Sequence, residues 1–279
     1  MEFEYFSRNG VLRPAAEAVV PLSNIEYSYG FGVYETVRVS SSVPVFLADH
    51  IERLMSSARE IGLEHPFSRD IVARSLEELV AKNKAGTCNV KILLIGGRTS
   101  DEASLFILCL NPFFPDKRLY RDGASCITVE YERAFPHAKT LNMLRSYLAY
   151  REAREAGAYD ALLIDSGGRI TEGTRTNFFC IKDRTLSSPK ESDILLGVTR
   201  KAVLKVAKEN GYMFEERDIR PEDLSGYDAA FLTSTSSKIV PIRSVGEHQF
   251  KQISPELREL MDAFDRFLGG SRGEMSGAR

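Results

Sequence analysis

The clearest strand signal of the chain lies at residues 32–40, which read Gly-Val-Tyr-Glu-Thr-Val-Arg-Val-Ser. The stretch is rich in β-branched and aromatic residues and alternates with a period of two, which predicts a strand. One face would carry Tyr34, Thr36 and Arg38, and the other Val33, Glu35, Val37 and Val39. The first face is polar, and the second is apolar apart from one acid.

Helix and strand signals continue along the first half of the chain. A helix is predicted to begin with Asp49 as its N-cap, and residues 70–83 read as a second amphipathic helix. Residues 90–95 and 105–110 are apolar and predict two buried strands of a hairpin. The stretch 111–118 holds two prolines and a charge cluster, which is typical of a connection between domains.

The second half carries four strand signals and three helix signals. The strands are predicted at 124–131, 161–164, 177–181 and 229–232. The helices are predicted at 144–156, ending at Gly157, at 199–210, and from Pro255 as the first residue of a final helix.

Composition excludes several classes of protein. The chain has 279 residues, 43% of them hydrophobic and 27% charged, with a formal net charge of −2. This composition is typical of a globular protein. A near-neutral chain has no global field that would attract nucleic acid or an anionic membrane. No run approaches the roughly 18 apolar residues of a membrane span, and the acidic N-terminus lacks the apolar core of a signal peptide. A cytoplasmic location is therefore expected.

The metal-binding and disulfide-forming residue types show no organised pattern. The four cysteines are scattered without a C-x-x-C spacing, and we expect reduced core thiols. The four histidines form no H-E-x-x-H or similar pattern, so no metal site is expected.

Several polar residues stand where a phosphorylated aldehyde cofactor would need them. Such a cofactor requires a lysine, a partner for its ring nitrogen and a phosphate cradle of helix N–H groups, hydroxyls and an arginine. Taken alone, each candidate is more often an ordinary surface or capping residue. The candidates are Lys139 between a strand and a helix, Glu172 in a polar turn, Thr199 at a helix start, the hydroxyl run 233–237, and Arg53 on the helix face of His50.

The order of five motifs raises this possibility to a family resemblance. From about residue 22 to about residue 245, the chain resembles the fold type IV aminotransferases, which use pyridoxal phosphate. The matching segments are Tyr-Gly-Phe-Gly-Val-Tyr-Glu-Thr at 29–36, His-Ile-Glu-Arg-Leu at 50–54, Lys-Thr-Leu-Asn at 139–142, Thr-Glu-Gly at 171–173 with Asn177-Phe178, and Leu-Gly-Val-Thr-Arg at 196–200. Members include branched-chain aminotransferase, D-amino acid aminotransferase and aminodeoxychorismate lyase.

The resemblance implies a two-domain α/β fold with the cofactor between the domains. Residues 1–111 would form a smaller α+β domain, residues 112–118 a linker, and residues 119–279 the larger cofactor-binding domain. Members of the family are homodimers or larger, so a homodimer is expected here.

The resemblance also assigns roles to individual residues. Lys139 would form the Schiff base and carry the proton, and Glu172 would pair with the pyridine nitrogen. The remaining cofactor-binding residues would be Arg53, Asn177, Val198, Thr199 and Thr235. Substrate binding would fall to Tyr34, Arg38, Arg98, Ser236 and Ser237.

Four positions depart from the family pattern. Ala158 stands where many members have a tyrosine or cysteine, Thr36 where branched-chain enzymes have glycine, and Phe31 where an acid or amide is usual. D-amino acid enzymes hold the substrate carboxylate with an arginine and a histidine after the strand equivalent to residues 91–95. Here Arg98 is one position away from that arginine, and the histidine is absent.

The shifted arginine and the absent histidine favour an L-amino acid over a D-amino acid. The function that the resemblance favours is transamination of an L-amino acid, of the branched-chain type, with 2-oxoglutarate. The alternatives within the family are a D-amino acid aminotransferase and an aminodeoxychorismate lyase. An alternative of another class is a metabolite-binding module without catalysis, since a fold does not fix a function. Retention of both Lys139 and Glu172 argues against that module.

Overall fold

The computed structural model of the chain describes residues 3–21, 23–112 and 115–276, with side chains described up to residue 270. The chain divides into two compact units, Met1–Phe114 with Phe135–Met143, and Pro115–Ala134 with Leu144–Arg279. Residue 22, where the resemblance begins, and residues 113–114 of the expected linker lie outside the described residues. The boundaries expected at residues 111 and 119 stay a prediction, and they do not include the return of Phe135–Met143 to the first unit.

The first unit contains an antiparallel sheet and two long helices. Its elements are β1 (Tyr5–Arg8), β2 (Val11–Pro14), α1 (Ile25–Ser28), β3 (Gly32–Ser40), β4 (Val43–Pro44), α2 (Leu47–Glu60), α3 (Arg69–Lys82), β5 (Thr87–Ile95) and β6 (Ser104–Leu110). The strand order is β2-β1-β6-β5-β3-β4, with every neighbouring pair antiparallel. The predicted hairpin of β5 and β6 is confirmed.

The two faces of β3 are divided as its period of two predicts. The face with Val33, Val37 and Val39 is fully buried against the apolar stripes of α2 and α3. The face with Tyr34 and Arg38 is only half-buried. The core of the first unit therefore lies on one side of the sheet, and the polar side chains of β3 lie on the other.

The start of α2 differs from the expectation. The helix begins at Leu47, after Phe46 in the left-handed conformation with φ 55° at the N-cap position. Asp49 is therefore not the N-cap, and that prediction is wrong. The residue lies in the first turn of the helix instead, where the positive end of the helix dipole stabilises its negative carboxylate.

The second unit is built on a mixed sheet. Its elements are α4 (Lys117–Asp122), β7 (Ala124–Glu130), α5 (Leu144–Glu155), β8 (Asp160–Ile164), β9 (Ile170–Gly173), β10 (Asn177–Lys182), β11 (Thr185–Ser188), α6 (Val198–Glu209), β12 (Met213–Glu216), β13 (Ala229–Ser234), β14 (Lys238–Val245), β15 (His248–Gln249) and α7 (Pro255–Ser276). The four predicted strands and three predicted helices are all present. Gly157 follows α5 with φ +71°, as expected for a residue that ends a helix.

Six of these strands close into a ring. The order β10-β13-β14-β7-β8-β9 returns to its start because β9 also pairs with β10. The closing pair is Glu172 opposite Asn177. The ring therefore closes at two residues that the family motif singles out.

Two further observations bear on the function classes considered above. All four cysteines are buried and free. In the described part of the chain, no helix is long and apolar enough to cross a membrane, and no group of three or more side chains is suited to hold a metal ion.

Candidate active site

The segment Phe135–Met143 runs beside the start of β3 in the first unit. The Tyr34 N–H donates to the Lys139 carbonyl at 2.9 Å, and the Leu141 N–H donates to the Gly32 carbonyl at 2.8 Å. A Cβ on Gly32 would lie 2.7 Å from the Leu141 side chain, which is closer than carbon atoms approach. Glycine is therefore needed where the lysine segment meets the strand.

Lys139 is half-buried and is fixed by contacts of its backbone. Its N–H donates to Ser57 Oγ at 3.0 Å, in addition to the bond that its carbonyl accepts from Tyr34. Its Nζ lies 4.6 Å from the centroid of the Tyr34 ring, and the Tyr34 hydroxyl donates to Met143 Sδ at 3.6 Å. Because the main chain makes the fixing contacts, the position of the residue does not depend on its amine.

Glu35 joins β3 to α2 through a buried ion pair. Arg53 donates from Nε to Oε1 at 2.6 Å and from Nη2 to Oε2 at 2.8 Å, and His50 Nδ1 lies 2.8 Å from Oε2. Burial on its own would raise the pKa of Glu35, but the charge and hydrogen bonds of Arg53 and the contact of His50 outweigh it and lower that pKa to about 2. Glu35 is therefore ionised at neutral pH, and His50 Nδ1–H is the donor.

The other substrate-binding candidates of the first unit have different surroundings. Arg38 lies on the half-buried face of β3 together with Tyr34, and it is directly opposite Asn89 of the neighbouring strand β5. The Arg98 side chain is 79% exposed and its Nε lies 3.9 Å from the Glu26 carboxylate. The structure thus brings Tyr34 and Arg38 onto one face and leaves Arg98 at the surface beside an acid.

Glu172, Asn177 and Thr233 form a row across three strands of the second unit. Asn177 of β10 is opposite Glu172 of β9 on one side and Thr233 of β13 on the other. Directly opposed residues project from the same face of a sheet. All three are buried, and Thr233 Oγ1 has no hydrogen-bond partner among the described residues. The row is a set of buried polar groups on one face.

Glu172 and Asn177 together hold the chain that leads into α6. The Leu195 N–H donates to Glu172 Oε2 at 3.4 Å, and Asn177 Nδ2 donates to the Leu195 carbonyl at 2.7 Å. Arg133 Nη1 donates to Glu172 Oε1 at 3.1 Å, with side-chain exposures of 15% and 3%. The Glu172 carboxylate therefore has a charged partner and a fixed orientation.

Asp160 anchors the turn between Glu172 and Asn177. Thr174 Oγ1 donates to Asp160 Oδ1, and Thr176 Oγ1 donates to Oδ2 at 3.0 Å. Burial raises the pKa of Asp160, and the hydrogen bonds from the two threonines partly oppose that rise. Thr174 and Thr176 therefore serve the shape of the turn.

The start of α6 lies against Asn177. Gly197 occupies the N-cap position, and Val198 and Thr199 are the first residues of the helix, both buried. A Cβ on Gly197 would collide with Asn177 Oδ1, so only glycine permits this approach. The first N–H groups of a helix lack partners within it and carry the positive end of its dipole, which suits an anion.

The turn after β13 holds the remaining candidates. Thr235 and Ser236 are half-buried, and Ser237 is buried. The Ser237 N–H donates to Ser234 Oγ at 3.1 Å, and its hydroxyl lies 3.0 Å from the Tyr159 hydroxyl. Ser236 and Ser237 are both predicted to bind substrate, and a backbone amide can serve this purpose only if the protein does not already use it. The amide of Ser237 instead closes its own turn, which leaves that of Ser236.

A comparison with known protein families identifies the family of the chain. The model of the family described as amino-transferase class IV matches residues 32–245. The chain belongs to this family. The D-alanine aminotransferase of Bacillus licheniformis is 32% identical over 246 residues, which cover 85% of this chain and 87% of the relative.

Solved structures confirm the predicted α/β fold of a class IV aminotransferase. The branched-chain amino acid aminotransferase of Escherichia coli is 27% identical, with a TM-score of 0.88 and 94% of each chain covered. The T.th. branched-chain enzyme, solved with pyridoxamine 5'-phosphate, is 25% identical, with a TM-score of 0.91, and the match covers 99% of this chain and 98% of that enzyme. Relatives of a D-alanine and of a branched-chain type therefore both resemble the chain.

The residues present fit a pyridoxal phosphate cofactor. The start of α6, with a glycine that brings it against buried polar groups, suits a phosphate, as does the arginine of α2. The Thr233 hydroxyl is buried and has no hydrogen-bond partner among the described residues, so a bound group with a polar atom would suit it. Glu172, a buried carboxyl group with Arg133 beside it, suits a protonated ring nitrogen, and the primary amine of Lys139 suits an aldehyde.

Four residues of this class IV aminotransferase were missed by the sequence reasoning. Glu35, Arg133, Asp160 and Tyr159 each contact a candidate residue or its turn. Glu35 alone carried a signal, since an acid on the buried face of a strand requires a cation beside it. The contacts of Arg133, Asp160 and Tyr159 are visible only in the folded chain.

Proposed function

We propose that this class IV aminotransferase uses pyridoxal phosphate to move the amino group of an L-amino acid, of the branched-chain type, to 2-oxoglutarate. When bound, pyridoxal phosphate supplies an aldehyde that takes up amines and a ring that withdraws electrons. Lys139 Nζ would bond the cofactor between turnovers and carry the proton between the substrate Cα and the cofactor C4′. Each half-reaction thus needs one amine that acts in turn as base and acid.

The other residues would bind and orient. Glu172, with Arg133 beside it, would hold a proton at the ring nitrogen. The phosphate would be bound by Arg53, by the start of α6 at Val198 and Thr199, and by Thr235, with Asn177 supporting the start of α6.

The substrate would meet the polar face of β3. Tyr34 and Arg38 share that face, and Leu93 of β5 lies directly opposite Tyr34, which gives an apolar neighbour for an aliphatic side chain. The Ser236 amide is the donor proposed for the substrate carboxylate.

The observation that carries the proposal is that both reactive groups are present and separately fixed. Lys139 is held by Ser57 and by the backbone of Tyr34, and Glu172 is held by Arg133 and Leu195. A protein that only binds a metabolite needs neither group. A covalent adduct with pyridoxal phosphate that borohydride traps at Lys139 is expected for the enzyme and not for such a binder.

A half-reaction panel tests the proposed substrate. The cofactor-loaded protein is mixed with L-Leu, L-Glu, D-Ala or aminodeoxychorismate, and the visible absorbance is followed. We expect L-Leu and L-Glu to convert the cofactor to its aminated form. Formation of pyruvate from aminodeoxychorismate without net amino transfer would instead indicate a lyase.

A D-amino acid aminotransferase is the second candidate, because a D-alanine enzyme is 32% identical to this chain. We nevertheless expect faster initial rates with L-Leu than with D-Ala as donor to 2-oxoglutarate. The Arg98 side chain is 79% exposed beside the Glu26 carboxylate, which supports a substrate-carboxylate site built from other residues. A D-Ala rate that equals or exceeds the L-Leu rate, and that is lost in Arg98→Ala, would reverse this assignment.

Arg53→Ala is expected to weaken cofactor retention more than it slows the chemistry of the loaded enzyme. A charge-assisted contact contributes about 1.5–3 kcal/mol, or about 10- to 150-fold in affinity. The dissociation constant of pyridoxal phosphate is measured by fluorescence titration of the apoprotein, with kcat determined at saturating cofactor. An unchanged dissociation constant would remove Arg53 from the phosphate site.

The expected homodimer and the cytoplasmic location stay predictions. Helix α5 exposes Leu144, Tyr147 and Leu148 at 65%, 56% and 42%, which supports an association of two copies. Light scattering on the purified protein measures the assembly directly.

A further inference from the structure

The buried carboxylate of Glu35 lies where its charge alone would oppose anion binding. It contacts Arg53, which the proposed function assigns to the cofactor phosphate. We propose that Glu35 is a positioning residue for phosphate binding, which fixes the Arg53 guanidinium in the orientation that meets the phosphate. This inference rests on the proposed function and deepens it.

The geometry of the pair carries the inference. Nε and Nη2 of Arg53 meet the two oxygens of Glu35 at 2.6 and 2.8 Å, which is the bidentate arrangement that fixes a guanidinium plane. Two of its five N–H donors are thereby committed to Glu35. The Arg53 side chain is 12% exposed, so it is anchored by Glu35 without being fully enclosed.

Glu35 is itself fixed from two directions. Its side chain belongs to the buried face of β3, where the valines on either side are fully buried. His50, one helical turn before Arg53, donates from Nδ1 to Oε2 at 2.8 Å. The carboxylate therefore cannot follow Arg53 if the arginine swings away, and it acts as a rigid anchor.

Charge and orientation predict opposite effects of removing the Glu35 charge. A carboxylate beside Arg53 lowers the positive potential that a phosphate meets, so charge alone predicts tighter binding in Glu35→Gln. A fixed guanidinium loses less side-chain freedom on binding, so positioning predicts weaker binding in the same variant. The sign of the change separates the two effects.

The experiment compares pyridoxal phosphate with pyridoxal, which lacks the phosphate. The ratio of their dissociation constants, measured on the apoprotein by fluorescence titration, reports the phosphate contacts alone. A general loss of structure weakens both ligands and leaves the ratio unchanged. The variants are Glu35→Gln, Arg53→Ala and the double variant. Glu52→Gln, which makes the same charge change at an exposed residue of α2 next to Arg53, is the control.

We expect Glu35→Gln to reduce the preference for pyridoxal phosphate by about tenfold, and Glu52→Gln to leave it unchanged. In the double variant, the preference should equal that of Arg53→Ala, because Glu35 acts through the arginine. Thermal unfolding verifies that each variant folds. If Glu35→Gln does not fold, Glu35→Asp keeps the charge but shortens the side chain, and a reduced preference is again expected.

An unchanged or increased preference in the folded Glu35 variant would overturn the inference, as would an equal loss for both ligands. Failure of the proposed function has a different signature. Wild-type protein without preference for the phosphorylated ligand, or an Arg53→Ala variant with wild-type preference, would remove the phosphate assignment before Glu35 is substituted.

Discussion

Lys139→Ala is expected to lower turnover by at least about 10⁴-fold while the protein keeps its fold. The amine would serve both as the covalent attachment of the cofactor and as the proton carrier, so its loss removes two contributions together. The anchoring bonds of residue 139, to Ser57 and from Tyr34, are made by the main chain and survive in alanine. Single-turnover rates with L-Leu and the thermal midpoint test the two parts of the prediction.

Lys91 offers a matched control for this experiment. Its Nζ lies 5.4 Å from the Tyr34 ring centroid, compared with 4.6 Å for Lys139, so both amines share one neighbourhood. We expect Lys91→Ala to retain the borohydride-trapped cofactor adduct and Lys139→Ala to lose it. An adduct that persists in Lys139→Ala would refute the assignment of the lysine.

The sequence predicted those parts of the fold that follow from the local spacing of apolar and polar residues. The alternation at residues 32–40 separates the buried Val33 and Val37 from the half-buried Tyr34 and Arg38, as the structure does. The N-cap of α2 was misplaced because Phe46 adopts a left-handed conformation, with φ 55°. This conformation is unusual for an aromatic residue, and propensity gives no sign of it.

The return of Phe135–Met143 to the first unit was not predictable in this way. The contact between Tyr34 and Met143 joins residues 109 positions apart. Hydrophobic periodicity reports which face of an element is buried, and it contains no information on which distant strand lies beside it. Gly32, which the approach of Leu141 requires, is a trace of this contact in the sequence.

In the candidate site, too, the sequence identified individual residues but not their contacts with distant residues. Motif spacing identified Arg53 and Glu172, but their partners Glu35 and Arg133 lie 18 and 39 positions away along the chain. These partners determine orientation and charge, which are properties of the folded molecule. The sequence therefore named candidate groups of the site, and the structure shows the contacts that orient them.

Glu172→Gln is expected to lower kcat by about 10²- to 10³-fold. The amide has nearly the shape of the carboxylate, but it is neutral and cannot stabilise a proton at the ring nitrogen. The visible spectrum of the bound cofactor should change as well, because the charge next to the ring nitrogen is lost. Stopped-flow half-reactions with L-Leu and absorbance spectra of the loaded variant measure the two effects.

The same substitution has a structural cost that must be separated from the chemistry. Arg133 is 15% exposed and loses its anionic partner at 3.1 Å, which should lower the free energy of unfolding by about 1–3 kcal/mol. Arg133→Met in the Glu172→Gln background removes the cation that has lost Glu172 as its anionic partner and should restore most of that stability. Turnover should stay low in this double variant, because the ring nitrogen still lacks an anion. Recovery of turnover together with stability would mean that Glu172 supports the fold and takes no part in the reaction.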